Sequence, residues 1–411
     1  MLSVTFGVSI ARCGSQPRVA RGSKVRGMHF GVSSLCFWLL TLPLAALATL
    51  AARSGNAAVP PMPEPGAWTL GPSTRPANAQ PIIRPNPDSL FDCPMRGKPV
   101  RWQATHTFNP AAIVKDGKVY LLYRAEDDNG QGIGGYTSRL GLASSTDGIR
   151  FTSLPTPVLY PTDDAQKDNE WEGGCEDPRC VETEDGTYVL FYTQYHRVAG
   201  TPAHTDLGMA TSRDLLHWTK TGPVRGVDAD GRTVMPSKSA SLVCSVRKGR
   251  LIATKINGRY WLYYGEGTIH LLSSPDLKTW TPDPEVALAP RHGLFDSGLA
   301  ECGPPAVLTD RGIVLLYNGK NADDATTADP SLKPGVYSGG QALFDAHDPT
   351  RLLARTEHPF FQPELPWEAT GQYAAGTTFI EGLVLFKGKW FLYYGCADTF
   401  VSVASASRRH H

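Results

Sequence analysis

The stretch LVLFKGKWFLYYG at residues 383–395 decides the fold, because it has the pattern of a tight hairpin. An apolar run, a Gly-containing turn and an aromatic-rich run follow one another, which is typical of two antiparallel strands joined by a short turn. The pattern occurs four more times, in PAAIVKDGKVYLLYR (110–124), PRCVETEDGTYVLFYT (178–193), LIATKINGRYWLYYG (251–265) and PAVLTDRGIVLLYNG (305–319). Five copies of one hairpin indicate a repeat architecture.

Further strand-like segments lie between the hairpins and bring each repeat to four strands. Three of them contain a Ser and Asp element, in LASSTDGIRF (142–151), MATSRDLLHW (209–218) and LLSSPDLKTW (271–280). We therefore predict an all-β protein, a five-bladed β-propeller with four-stranded antiparallel blades. The repeats are longer than a lean blade, so long loops are expected on one face. A β-sandwich with repeated hairpins is the alternative that periodicity alone leaves open.

The charge balance argues against a nucleic-acid partner. The 40 Lys and Arg residues nearly cancel the 39 Asp and Glu residues in a chain of 411. No global field therefore attracts nucleic acid or an anionic membrane surface, and a neutral partner is favoured. The 41 glycines and 33 prolines fit many short strands joined by turns.

The N-terminal region has the features of an export signal. Residues 35–50 are apolar and carry no charge, and Arg21, Lys24 and Arg26 precede them. The protein is therefore expected to be exported, periplasmic or secreted, with a membrane association only if this segment is retained as an anchor. We expect four regions: an N-terminal extension (1–52), a Pro-rich linker and lead-in (53–100), the propeller (101–403) and a short tail (404–411).

The cysteines that follow residue 52 number six, and this even count permits disulfides in an exported protein. Cys175 and Cys180 have a short, metal-like spacing. No second pair and no His pair at ligand spacing accompany them, so neither a metal nor another cofactor is expected.

In a propeller, the residues that begin each innermost strand line a central channel. Reading those starts gives Asn109, Asp177, Lys255, Glu301 and Glu381, and Asp398 follows the last hairpin. Hydrolysis of a glycosidic bond needs one carboxylic acid to protonate the leaving oxygen and, for inversion, a second carboxylate to activate water. On pattern alone, such acids could equally cap turns or be solvated strand ends.

Residues 108–399 resemble glycoside hydrolase family 130, the mannoside phosphorylases and β-1,2-mannosidases built on a five-bladed propeller. The motifs that carry the resemblance are FNPAAI (108–113), YRAED (123–127), SRLGLASSTDG (138–148), GGCEDPR (173–179), KINGRYW (255–261), ECGPPAVL (301–308) and YYGCADT (393–399).

The resemblance implies a role for each matching residue. It makes Asp177 the general acid, and it implies that the mannose is held by Asn109, Arg124, Arg139 and Asp398. The predicted substrate-binding set is completed by Arg179, Lys255, Tyr337 and Glu381.

The chain departs from the family's phosphorylases at two places where arginines dock phosphate. The first region reads TDLGMATS (205–212), and the second reads YYGEG (263–267), with Glu266 where the arginine would be expected. A carboxylate there repels phosphate and can bind or deprotonate water. Glu301 resembles the second glutamate of the family's hydrolases.

We therefore predict a hydrolase-like member of the family that cleaves β-mannosides with inversion. Asp177 is the expected acid, and Glu266 and Glu301 are expected to hold the water. The first choice of substrate is β-1,2-linked manno-oligosaccharides. A β-mannoside phosphorylase and a non-catalytic sugar-binding propeller are the alternatives, and the linkage, the identity of the base and the oligomeric state stay open.

Overall fold

The computed structural model describes residues 65–408, and this part of the chain is all-β, as predicted. The apolar segment 35–50 lies outside the described residues. None of the helices between residues 65 and 408 is long and apolar enough to cross a bilayer.

The chain begins with one short helix and a small ladder, followed by two meanders of four strands each. The helix is α1 (Pro65–Trp68) and the ladder pairs β1 (Phe91–Cys93) with β2 (Lys98–Val100). The first meander contains β3 (His106–Lys115), β4 (Lys118–Glu126), β5 (Ser138–Ser145) and β6 (Thr152–Ser153). Helix α2 (Lys167–Glu170) precedes the second meander, which contains β7 (Glu172–Glu182), β8 (Tyr188–His196), β9 (His204–Ser212) and β10 (Thr219–Pro223).

Three further meanders follow a short ladder of β11 (Gly226–Val227) and β12 (Thr233–Val234). The third contains β13 (Ala240–Arg247), β14 (Arg250–Ala253), β15 (Tyr260–Tyr264), β16 (His270–Ser274) and β17 (Thr281–Pro282). The fourth contains β18 (Leu299–Cys302), β19 (Ala306–Thr309), β20 (Gly312–Lys320), β21 (Tyr337–Phe344) and β22 (Leu352–Arg355). After a 3₁₀ turn (Pro366–Glu368), the fifth contains β23 (Thr378–Phe386), β24 (Lys389–Cys396) and β25 (Phe400–Ser407).

The tight hairpins arise from two-residue turns with left-handed backbone. Asp116 and Gly117 join β3 to β4 with φ values of 48° and 71°, and Lys387 and Gly388 join β23 to β24 with φ values of 49° and 77°. Two successive positive φ values match the right-handed twist of the flanking strands, which is why glycine occupies the second position.

Apolar packing joins each meander to its neighbours. Separate clusters of buried side chains lie between the first and second, second and third, third and fourth, and fourth and fifth meanders. A further cluster joins the fifth to the first, where Val384 and Phe391 pack with Ala112 and Leu121. Burial of one such side chain contributes about 1.5–3 kcal/mol.

A bulge recurs in the first strand of three meanders and turns one residue out of the ladder. The register shifts between Phe108 and Pro110 in β3, between Glu176 and Arg179 in β7, and between Ile380 and Gly382 in β23. A bulge bends its strand and redirects a side chain. The displaced residues are Asn109, Asp177 and Glu381, and the first two have positive φ values of 46° and 45°.

The segment expected as a Pro-rich linker and lead-in is packed where the structure describes it. Thr74 and Ser405 exchange two backbone hydrogen bonds of 2.8 Å, and the Ile82 N–H donates to the Val401 carbonyl at 2.8 Å. Residues 74–83 therefore lie along β25, the outermost strand of the fifth meander.

An arginine anchors this N-terminal segment. Arg75 makes a two-pronged ion pair with Glu368, with Nε to Oε1 at 2.7 Å and Nη2 to Oε2 at 2.9 Å. Glu368 is fully buried, and Tyr394 of β24 also donates to its Oε1 at 2.7 Å. Removing the cation would leave a buried carboxylate without its charge partner.

We expect Arg75→Met to lower the free energy of unfolding by about 3 kcal/mol, because breaking a buried ion pair from one side is costly. The control is Arg84→Met, since Arg84 is an exposed arginine of the same segment; it should change stability by less than about 0.5 kcal/mol. Denaturant titration of the two variants would measure both, and equal stabilities would contradict the anchoring role.

Candidate active site

Residues from all five meanders surround one cavity of about 270 Å³. Its polar lining includes Asn109 of β3, Asp177 of β7 and Glu301 of β18, so the first strands of three meanders converge there. The full lining is Phe108, Asn109, Arg124, Ile133, Gly134, Glu176, Asp177, Tyr195, Thr205, Lys238, Glu266, Glu301, Tyr337, Tyr373, Thr377, Phe379 and Asp398.

Asp177 is held by contacts that use only one of its two carboxylate oxygens. Oδ1 accepts hydrogen bonds from Asn109 Nδ2 at 2.9 Å and from Arg124 Nη1 at 3.2 Å. No group within residues 65–408 hydrogen-bonds to Oδ2, so this oxygen is available to a substrate in the cavity. Asn109 and Arg124 thus orient the carboxyl without occupying its reactive oxygen.

The electrostatic environment of Asp177 contains opposing effects. Burial alone would raise its pKa, but Arg124, Lys238 and Arg179 together outweigh burial and hold the pKa below its ordinary value. Asp177 is therefore ionised in the open cavity at neutral pH. A bound sugar that excludes water would raise the pKa again, since desolvation disfavours the charged form.

Arg124 is the centre of a cluster of acids. Its Nη2 lies 2.6 Å from Glu126 and 2.8 Å from Oε1 of Glu176, and its Nη1 lies 3.2 Å from Asp177. One guanidinium thus forms ion pairs with three buried carboxyl groups. Burial raises the pKa of Glu176 to about 7, with Arg124 opposing the rise and Asp177 adding to it.

A second charged group contains the two glutamates expected to hold water. Lys238 Nζ lies 3.1 Å from Glu266 Oε1 and 4.0 Å from Glu301 Oε1, so this cation bridges them. Ser239 Oγ also donates to Glu301. Glu301 is buried and its pKa is raised to about 7 by burial, whereas the Glu266 side chain is 40% exposed.

Seven of the residues predicted from sequence line this cavity together: Asn109, Arg124, Asp177, Glu266, Glu301, Tyr337 and Asp398. Asp398 lies in the turn between β24 and β25 with a φ of 52°. Burial raises the pKa of Asp398 to about 7, and Arg124 partly offsets that effect.

Two predicted substrate-binding residues lie beneath the cavity. Arg179 is fully buried, and it donates to the Asp177 carbonyl at 3.0 Å and to the Cys302 carbonyl at 2.8 Å. Glu381 is also fully buried and lies 3.4 Å from Arg179. The bulge in β23 directs Glu381 to this arginine, so both support the strand that carries Asp177 and neither lines the cavity.

Arg139 and Lys255 also do not line the cavity. Arg139 is buried in an ion pair with Asp127 at 3.0 Å and donates to the Thr137 carbonyl, so it braces the loop between β4 and β5. Lys255 is exposed and lies 5.0 Å from the Tyr260 ring. It belongs to the β14–β15 connection, whereas the first strand of the third meander is β13.

Sequence reasoning missed several residues of the cavity. Glu176 stands next to Asp177 in the GGCEDPR motif, and Lys238 stands just before β13. Taking β13 as the first strand of the third repeat would have found Lys238 in place of Lys255. Tyr195 and Tyr373 lie in loops and at strand ends, where the sequence carries no comparable signal.

A family model described as beta-1,4-mannooligosaccharide phosphorylase, of glycoside hydrolase family 130, matches residues 73–410. The chain belongs to glycoside hydrolase family 130. The resemblance seen in the sequence motifs is thereby confirmed.

Similar proteins within family 130 include both phosphorylases and hydrolases. The chain is 35% identical over 310 residues to a 1,2-beta-oligomannan phosphorylase of Thermoanaerobacter sp. (strain X514), which covers 74% of this chain and 90% of that protein. A solved glycosyl hydrolase from Bacteroides ovatus is 48% identical, with a TM-score of 0.78 over 82% of this chain and 94% of that one.

A second solved structure comes from work on glycoside hydrolases of family 130 that target beta-1,2 mannosidic linkages in Candida mannan. It is 47% identical to this family 130 chain, with a TM-score of 0.78, and the match covers 83% of this chain and 97% of that one.

Within residues 65–408, no group of three His, Cys, Asp or Glu side chains could hold a metal ion. The six cysteines of the same range are buried and free.

The raised pKa of Asp398 makes stability depend on pH. Because the folded-state pKa is about 7 and the ordinary value is 3.8, the folded state binds more protons between those values. Stability from this group is therefore present at low pH and lost as the pH rises to about 7. We expect the fall in unfolding free energy from about pH 5 to about pH 8 to be smaller in Asp398→Asn, by on the order of 2 kcal/mol.

The matched control for this measurement is Asp310→Asn, since Asp310 is exposed in the turn between β19 and β20. Its pH dependence should equal that of the unmodified protein. An Asp398→Asn profile that also equals it would show that the half-buried Asp398 carboxyl does not hold a proton up to about pH 7.

Proposed function

We propose that the protein is a glycoside hydrolase that cleaves β-mannosides with inversion, with β-1,2-linked manno-oligosaccharides as the first choice of substrate. The observation that carries the proposal is the pairing of the charged groups in the cavity. Five carboxyl groups line it, namely Glu176, Asp177, Glu266, Glu301 and Asp398, and the two cations among the lining residues, Arg124 and Lys238, are already paired with these groups. A phosphate anion would have to displace these carboxyl groups, whereas a neutral sugar and water need not.

Asp177 suits the role of general acid. Its Oδ1 is fixed by Asn109 and Arg124, and its Oδ2 is left for the glycosidic oxygen. A sugar that enters the cavity displaces water, so the carboxyl becomes more desolvated and takes up the proton that it then delivers to the leaving group.

Glu266 and Glu301 suit the role of water binding. Lys238 holds their carboxylates near each other, so a water molecule between them would meet two acceptors. In an inverting reaction, one carboxylate removes a proton from this water as its oxygen attacks the anomeric carbon. The other would orient the water or tune the pKa of its partner.

Phosphorolysis is the second candidate, because the relatives of this chain include a 1,2-beta-oligomannan phosphorylase and because Lys238 could accept an anion. In this structure, however, Lys238 is already paired with Glu266 and Glu301. A phosphate would have to displace two carboxylates, which favours hydrolysis.

Incubation with β-1,2- and β-1,4-mannobiose, with and without inorganic phosphate, tests the proposal. We expect mannose as the product at a rate that phosphate does not change, because both cations among the described lining residues are already paired with carboxyl groups. Ion chromatography separates mannose from mannose 1-phosphate. Sugar phosphate formed in step with substrate loss would establish the phosphorylase instead, and no product with either sugar would favour a binding protein.

We expect Asp177→Asn to lower kcat for mannobiose by about 10² to 10⁴-fold, because the amide keeps the contacts to Asn109 and Arg124 but cannot donate the proton. An aryl mannoside whose leaving group needs no proton should lose much less. The control is Asp310→Asn, which should match the unmodified enzyme. Equal losses on both substrates would argue against the acid role.

We further propose that the five meanders are the blades of a propeller, with residues 74–83 acting as the outermost strand of the last blade. The apolar clusters between successive meanders, including the one that joins the fifth to the first, support this arrangement. Export by way of residues 35–50 is likewise a proposal, and it suits hydrolysis of an extracellular mannan, since phosphorolysis is useful mainly inside the cell.

A further inference from the structure

Glu176 lines the cavity beside Asp177, and the proposed mechanism gives it no task. The residue is 8% exposed and belongs to β7. Arg124 and Glu126 of β4 and Ser138 of β5 face it, and Asp398 lines the same cavity. It is therefore a polar group on the substrate side of the site, with charged neighbours on β4 and a hydroxyl donor on β5.

The two oxygens of the Glu176 carboxyl have different surroundings. Oε1 accepts a hydrogen bond from Ser138 Oγ at 2.9 Å and lies 2.8 Å from Arg124 Nη2. Between residues 65 and 408, no group hydrogen-bonds to Oε2. A proton on this carboxyl would therefore sit on Oε2, because Oε1 is already engaged as an acceptor.

The charge of the cluster indicates that Glu176 carries such a proton. Arg124 contacts Glu126, Glu176 and Asp177, and three neighbouring carboxylates cannot all be ionised around one cation in a buried site. Burial raises the pKa of Glu176 to about 7, while the pKa of Asp177 is lowered. Of the two adjacent acids, Glu176 is thus the one that keeps its proton to the higher pH.

We propose that Glu176 contacts the substrate as a protonated carboxyl, donating a hydrogen bond from Oε2 to an oxygen of the sugar that lies against Asp177. The inference rests on the proposed function, since it takes a β-mannoside as the ligand. It assigns to the site a neutral donor beside Asp177, and it makes sugar affinity fall as the pH rises above the value at which Glu176 ionises.

The first arm of the test measures affinity with a thio-linked β-1,2-mannobiose, which neither hydrolysis nor phosphorolysis cleaves readily. The unmodified protein should bind it about tenfold more weakly at about pH 9 than at about pH 6, a change of about 1.4 kcal/mol. Glu176→Gln keeps an acceptor for Arg124 and Ser138 and presents an N–H donor that does not ionise. The part of the pH dependence that Glu176 causes should be absent in this variant, so its affinity should fall less between about pH 6 and about pH 9 than that of the unmodified protein.

Glu184→Gln is the matched control, because Glu184 is an exposed glutamate of the β7–β8 turn and pairs with Arg247 outside the cavity. It should keep the pH dependence of the unmodified protein. Glu176→Ala adds a further comparison, since it removes the donor and should bind about tenfold more weakly at about pH 6.

The second arm measures the proton itself, without any sugar. Difference infrared spectra between the unmodified protein and Glu176→Gln should show a protonated-carboxyl band at about pH 6 that is lost by about pH 9. Thermal unfolding of each variant verifies that it is folded.

The two arms separate this inference from the proposed function. Absence of the infrared band at about pH 6 would overturn the inference whatever reaction the protein catalyses. Equal pH dependence of sugar binding in the unmodified protein and Glu176→Gln would also overturn it. If β-mannosides did not bind at all, the proposed function and the sugar contact would both be refuted, and the band would still report the protonation of Glu176.

Discussion

Arg124 is buried, and a buried cation is tolerated only where carboxylates and hydrogen-bond acceptors surround it. It projects from β4 of the first meander, and its partners Glu176 and Asp177 belong to β7 of the second. The guanidinium therefore ties two neighbouring sheets together at the point where the cavity forms. It also fixes Oδ1 of Asp177, which leaves Oδ2 as the oxygen that a substrate meets.

The need of a buried acid for a cation also applies to the second group of acids, but there the cation is a lysine. Lys238 Nζ lies 3.1 Å from Glu266 Oε1 and 4.0 Å from Glu301 Oε1, so a single ammonium pairs with both carboxyl groups. An ammonium is a point charge, whereas a guanidinium presents several fixed donors. The Arg124 group is thus held in a defined geometry around Asp177, whereas the Lys238 ammonium holds Glu266 and Glu301 through fewer fixed contacts.

Local sequence patterns predicted the hairpins because their turns use residues that accept a left-handed backbone, as in Asp116–Gly117 and Lys387–Gly388. They also located Asn109 and Asp177, which precede the same hairpins. The error with Lys255 arose because β13 pairs with β15 through its first residues and with β14 through its last, so the segment before β15 in the sequence is not the first strand of that meander.

Other features depend on distant parts of the chain and carry no local signal. Arg139 lies in a motif that resembles the family's and was predicted to bind the sugar. Its ion pair with Asp127 instead holds the side chain inside the protein. The pairing of Thr74 with Ser405 joins residues more than 300 positions apart, and a Pro-rich segment gives no indication of it. Four of the five carboxyl groups of the cavity were predicted from sequence, whereas the pairing of Lys238 with two of them became visible only in the assembled cavity.

In the proposed reaction, water, rather than phosphate, attacks the face of the sugar remote from Asp177. Proton NMR of β-1,2-mannobiose cleavage in phosphate buffer, recorded before the released mannose mutarotates, tests the nucleophile and the stereochemistry at once. We expect the first new signal from the cleaved residue to be that of the α-anomer of free mannose. A first signal from β-mannose would contradict inversion, and one from mannose 1-phosphate would contradict hydrolysis.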